Sequence, residues 1–247
     1  MEDVTVAFDQ GFKNKVALIA GGTGALGREV SLSFLRAGAR VIATYRRQEE
    51  FDSLRMDARE LAGENLLGEV VDTSEAKEVE AMVGKLVAKL GRLDILVDAV
   101  GGYAGGKMVW EDDPANYERM MALNLESGFA LTRAALPAMI RQNRGSIVNV
   151  ASKAGYGHAA GAALYAASKA GALAFFDSMA EEVKPYAINI NSVVPSIFDT
   201  PANRRAMPTA NFAQWPKPAD IARVILFLCS EEAQVIHGAA IPVYGRT

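Results

Sequence analysis

Cysteine and histidine are nearly missing from this chain of 247 residues: Cys229 stands alone, and the histidines are His158 and His237. That rules out a disulfide framework and leaves too few ligands of the usual kind for a structural zinc site. No metal site is expected, and any cofactor is expected to be organic. Positive charge is not in excess either. A net charge of −3 and a pI near 5.6 leave no basic footprint for nucleic acid. The acidic start Met1-Glu2-Asp3 is followed by no long apolar segment, so neither a secretory signal nor a membrane span is read, and the cytosol is the expected compartment. Repeats, low-complexity runs and linkers are lacking too. With 50% hydrophobic and 22% charged residues, residues 1–247 are expected to form one globular domain with a large core.

What is present becomes regular from Lys15. Residues 1–14 carry no clear period and are read as a lead-in on the surface or against a neighbouring subunit. Val16-Ala17-Leu18-Ile19-Ala20 then predicts a buried strand, Gly21-Gly22-Thr23-Gly24-Ala25-Leu26-Gly27 a turn, and Arg28 to Ala37 an amphipathic helix. A plain strand-to-helix connection needs one glycine, not four. Glycines let the backbone approach a pyrophosphate, and the free N–H groups and positive dipole end of the helix stabilise its charge. Gly21, Gly22, Thr23, Gly24, Leu26 and Gly27 are therefore the candidate phosphate contacts.

The second strand, Arg40 to Thr44, ends at Tyr45-Arg46-Arg47. An acid here would bind the adenosine ribose 2′-hydroxyl of NAD, whereas guanidinium groups favour a 2′-phosphate, so NADP(H) is the expected cofactor with NAD(H) as the second choice. A third strand, Leu66 to Val71, ends at Asp72-Thr73. That carboxylate either caps the following helix or meets the adenine edge. A fourth strand, Leu93 to Val97, runs into a glycine-rich loop from Asp98 to Gly106 that contains Gly101. In open parallel sheets this edge forms the ligand crevice. A single long helix is predicted over Tyr117 to Arg141, with Asn124 on its apolar face. That Asn needs a partner: either the backbone, or a water on a proton path to a lysine.

Ser146 to Val150 predicts a fifth strand with Ser152 at its end, thirteen residues ahead of Tyr165. In the Ala-rich helix from Gly161 to Met179, Tyr165 and Lys169 are four residues apart and share a face. A tyrosine titrates near 10, and a neighbouring ammonium favours its ionised form. Ser152, Tyr165 and Lys169 together make an acid-base site for an alcohol–carbonyl couple. A sixth strand, Ala187 to Val194, ends in Pro195-Ser196-Ile197-Phe198-Asp199-Thr200-Pro201, where Pro195, Ile197 and Thr200 are candidate nicotinamide contacts. Residues 196–217 read as an irregular lid over the crevice. A helix from Pro218 to Ser230 and a strand from Ala239 to Val243 finish the alternation, which indicates one α/β domain.

With those residues in place, the chain resembles the short-chain dehydrogenase/reductase family from Lys15 to Gly245. Gly21, Gly22 and Gly27 lie in the family's cofactor turn and Asp72 at its adenine position. Asn124, Ser152, Tyr165 and Lys169 lie at its catalytic positions, and Pro195 to Thr200 in its nicotinamide loop. The resemblance implies a single Rossmann-like domain, a seven-stranded parallel sheet with helices on both faces, NAD(P)H, and a homotetramer or dimer. Ala20, Ala25, Asp98-Ala99-Val100 and Ser196 depart from the family's usual residues. A narrower likeness, in Gly101–Gly106 and Asp199–Trp215, is to the substrate-side loops of dihydropteridine reductases.

Three functions follow as expectations. The first is reduction of a carbonyl (a ketone, an aldehyde or a 3-oxoacyl group) with Tyr165 as acid. The second is reduction of a pterin-like substrate, which needs Ser152 little. The third is a dinucleotide-binding regulator without turnover, against which the intact Asn124-Ser152-Tyr165-Lys169 set argues.

Overall fold

A computed structural model describes residues 11–247. Residues 1–10, most of the expected lead-in, lie outside the described residues. The short apolar runs form strands: β1 (Val16–Ala20), β2 (Arg40–Tyr45), β3 (Leu66–Val70), β4 (Ile95–Asp98), β5 (Gly145–Val150), β6 (Ile188–Pro195) and β7 (Ala240–Val243). Every residue of β1 and β4 is buried, as expected for strands covered on both faces. All pairings are parallel, in the order β3-β2-β1-β4-β5-β6-β7. The register pairs Ala20 with Asp98 and Asp98 with Asn149, which brings the C-terminal ends of β1, β4 and β5 level. Chain reversal between β1 and β4 opens the crevice there.

Eight helices connect the strands: α1 (Ala25–Arg36), α2 (Gln48–Ala58), α3 (Ala76–Leu90), α4 (Pro114–Met121), α5 (Ser127–Gln142), α6 (Ala163–Val183), α7 (Pro201–Ala206) and α8 (Pro218–Leu228). One face of the sheet is covered by α1, α2 and α8 through Val30, Phe34, Leu54, Ile221 and Ile225. The other is covered by α3, α5 and α6 through Val83, Leu131, Met139, Phe176 and Met179. Burying each such side chain contributes about 1.5–3 kcal/mol, so two filled layers hold the sheet and fix where its strand ends lie.

Two expectations need correction, and a third gains a detail. Phe12, inside the expected surface lead-in, is buried and meets Phe34 edge-on with ring centroids 5.1 Å apart; a lone aromatic leaves no periodic signal. The long helix expected over Tyr117 to Arg141 is present as one unbroken run, in which a π-helical turn at Ala122–Glu126 joins α4 to α5. The lid is not wholly irregular. Thr200 caps α7 by accepting from Asn203 N at 3.1 Å, and Pro201 opens that helix, the preferred place for a proline.

Candidate functional site

The glycine turn after β1 is folded to bring backbone close to backbone. A Cβ on Gly27 would lie 2.1 Å from the Gly21 carbonyl oxygen, so no other residue fits. Gly21 N donates to Thr44 Oγ1 at 2.9 Å and Gly24 N to the Gly21 carbonyl at 3.0 Å. Helix α1 starts at Ala25, three residues earlier than expected, with Gly24 at its N-cap position and no side chain capping it. Its first N–H groups therefore lack the usual intramolecular acceptor, which fits the phosphate-bearing group inferred from sequence. Leu26 buries its side chain in the core and offers only its backbone N–H.

At the end of β2 the Tyr45 ring stacks on Phe51 at 4.7 Å, and its hydroxyl donates to Gln48 at 2.8 Å. Neither arginine is free. Arg46 pairs with Asp72 at 3.1 Å, and Arg47 pairs with Glu50, whose Oε2 also accepts from the Thr23 hydroxyl at 3.2 Å. Asp72 accepts from the Ser74 hydroxyl at 2.6 Å and the Ser74 N–H at 3.0 Å. These bonds, the hydroxyl's first, hold its carboxyl below the usual range. Thr73 is buried beside it.

The reactive end lies where β4 and β5 finish. Lys169 reaches from α6 to the Val150 carbonyl, donating at 2.8 Å, while Ser152, two residues further on, acts on the Tyr165 phenol. Burial raises the phenol above its ordinary value, the Ser152 hydroxyl works the other way, and Tyr103 adds to the rise. The expected depression by Lys169 is not what the structure shows, because the ammonium is turned to the end of β5. Lys169 is only 4% exposed, and burial lowers its pKa to about 8 against the opposing pull of the Asp98 carboxylate. Asp98, 3% exposed, is pushed up to about 6 by burial, with Lys169 and the Val100 N–H pulling it back.

Asn124 sits in the π-helical turn and bonds backbone. Its Oδ1 accepts from Gly102 N and its Nδ2 donates to the Gly102 carbonyl, both at 3.0 Å; Nδ2 also donates to the Ser168 hydroxyl at 3.1 Å. A Cβ on Gly101 would lie 3.0 Å from Asn124 Oδ1 and 3.2 Å from Lys169 Nζ, so the loop after β4 passes directly over the lysine. Pro195 is buried at the end of β6, Ile197 is half-buried, and Thr200 spends its hydroxyl on the α7 cap. The lid is fastened by the Asp199–Arg204 pair at 2.6 and 2.7 Å and by buried Trp215. A cavity of about 410 Å³ opens at the opposite edge of the sheet, near Lys15, Asp94, Arg144 and Glu231, and takes in none of these residues.

The profile of the short chain dehydrogenase family matches residues 15–211. The chain is a short-chain dehydrogenase. Among curated relatives of this family member, the 3-oxoacyl-acyl-carrier-protein reductase FabG of Thermotoga maritima is 33% identical over 241 residues, 94% of this chain and 97% of its own. The protein of the same name from Vibrio cholerae is 31% identical, with the same shares covered. A short-chain dehydrogenase/reductase structure from Burkholderia xenovorans superposes with a TM-score of 0.89 at 32% identity, covering 96% of this chain and 97% of that one. A structure titled ElxO with NADP bound gives 0.87 at 26% identity, covering 94% and 97%. This short-chain dehydrogenase is thus an NAD(P)-dependent oxidoreductase acting on alcohol and carbonyl groups. Among the described residues, no helix is long and apolar enough to cross a membrane.

Two residues of the site went unread in the sequence. Tyr103 meets the Tyr165 ring edge-on at 5.0 Å while remaining 67% exposed; its signal was an aromatic immediately after Gly101-Gly102. Glu50 lies in the first turn of α2, past the strand end where an acid was sought.

Proposed function

We propose that the chain is an NADP(H)-dependent carbonyl reductase with Tyr165 as the proton donor, and that a 3-oxoacyl group is its substrate class. One observation carries this: Ser152, Tyr165 and Lys169 converge at the end of β5, with the Ser152 hydroxyl acting on the phenol and Lys169 on the Val150 carbonyl. A tyrosine is protonated at neutral pH, the form that a proton donor in reduction requires. The bound nicotinamide supplies the hydride.

Tyr165 gives its proton to the carbonyl oxygen. Ser152 Oγ accepts from Ala154 N at 3.2 Å, which leaves its O–H to donate to the same oxygen. Lys169, buried at the end of β5 with its ammonium on the Val150 carbonyl, places a positive charge within the site. Arg46 and Arg47, each paired with a carboxylate, are the guanidinium groups at hand for a 2′-phosphate; the NADP-bound neighbour supports that reading, and the relatives' names support a 3-oxoacyl substrate. Phe129 of α5, 47% exposed, packs edge-on against Phe175 of α6. That apolar face favours a homo-oligomer built on these two helices.

The test is NADPH oxidation on a 3-oxoacyl thioester, simple ketones and a quinonoid dihydropterin. Tyr165→Phe should cost about 10²–10⁴-fold in turnover with cofactor binding retained; near-normal turnover would overturn the role of Tyr165. Ser152→Ala should cost on the order of 10²–10³-fold on the carbonyl. Exposed Tyr103, edge-on to Tyr165, favours the pterin reading as second choice, since it walls the site with a flat ring. Dihydropterin turnover that Ser152→Ala leaves unchanged would decide for it. No turnover on any of the three would leave the regulator.

A further inference from the structure

The two arginines at the end of β2 are held differently. Arg46 crosses to Asp72 on the loop after β3. Arg47 donates through Nε to Glu50 Oε1 at 3.0 Å, with its terminal nitrogen on the same oxygen. The second oxygen, Glu50 Oε2, accepts from the Thr23 hydroxyl at 3.2 Å, across 27 residues of chain. Glu50 therefore ties the first turn of α2 to the glycine turn before α1. Its carboxylate occupies one guanidinium and one hydroxyl, the two kinds of donor that a phosphate monoester uses.

A carboxylate and a 2′-phosphate repel each other and compete for the same donors. A carboxylate and a ribose 2′-hydroxyl are instead acceptor and donor. We propose that Glu50 sets the discrimination between NADP(H) and NAD(H): it is the acid missing from the end of β2, supplied from α2. It competes with the 2′-phosphate for Arg47 and Thr23, and it accepts from a free 2′-hydroxyl. This rests on the reading above that the turn before α1 receives a dinucleotide. It adds a residue that weakens the preference the arginines alone would give.

The experiment is fluorescence titration of NADPH and NADH against the wild type, Glu50→Gln, and Glu50→Gln combined with Arg47→Ala. Glu50→Gln should tighten NADPH roughly three- to tenfold, the scale of one partly exposed charge contact, with NADH unchanged or weaker. Adding Arg47→Ala should remove the gain. Equal changes for both cofactors would mean that Glu50 merely shapes the turn, and no change or a selective gain for NADH would mean that it does not reach the ribose; each overturns the assignment. The wild-type constants test the underlying reading separately. Tighter NADH in the wild type would overturn the NADP(H) preference, while a shift in the ratio with Glu50→Gln would still support Glu50. A chain that binds neither cofactor would overturn both.

Discussion

At the end of β5 a lysine, a tyrosine and a serine come together, and burial shifts the first two, lowering Lys169 and raising Tyr165. Lys169 is the most exposed to this effect, since desolvation lowers it to about 8 and only the Asp98 carboxylate pulls it back up. Without that carboxylate the ammonium should release its proton at still lower pH, and the site would lose its positive charge. Asp98→Asn should therefore move the alkaline fall of the pH–rate profile, expected near 8 in the wild type, toward acid. The profile of kcat against pH for both forms checks this; an unmoved midpoint would mean that Asp98 only braces its loop. Asp98 itself has a folded pKa of about 6, above the usual carboxylate range. By linkage, its protonated form contributes stability that is full below about pH 4 and is lost as pH rises through 6. At residue scale the sequence showed Ser152, Tyr165 and Lys169 by spacing alone. It did not show the phenol's raised pKa, because that follows from the depth of the pocket.

The elements were legible wherever one period ran unbroken. Strands β1 to β7 fall within two residues of their expected bounds, since short apolar runs between glycines and charges have few other foldings. The stretch from Tyr117 to Arg141 is helical as expected, but its π-helical turn left no mark, because an added residue in one turn hardly disturbs an apolar pattern. The π-helical turn at Ala122–Glu126 nonetheless has a cause and a use: it carries Asn124 inward, 4% exposed, onto both backbone groups of Gly102. Such turns concentrate at functional sites. Asn124→Ala would leave a backbone donor and acceptor unpaired, at about 1–3 kcal/mol, and would loosen the loop that carries Tyr103. Urea unfolding should show that loss, and the Gly102 amide should exchange hydrogen faster with solvent. Protection equal to the wild type would show that the loop is held by something else.

For the whole molecule, the alternation of strands and helices was enough to indicate a parallel sheet covered on two faces, and the glycine turn to place its crevice. What the sequence hid are meetings between distant segments: Glu50 with Thr23, Tyr103 with Tyr165, Phe12 with Phe34. No local pattern records these, because each depends on how the layers stack. Helix α1 begins at Ala25 with no side chain at Gly24 to cap it, so its first N–H groups are open to a ligand. A cofactor at a hundred times its dissociation constant would add about 2.7 kcal/mol to stability, and pulse proteolysis with and without NADPH should show the protected fraction rise accordingly. A chain stabilised in this way resists proteolysis in proportion to the cofactor it holds.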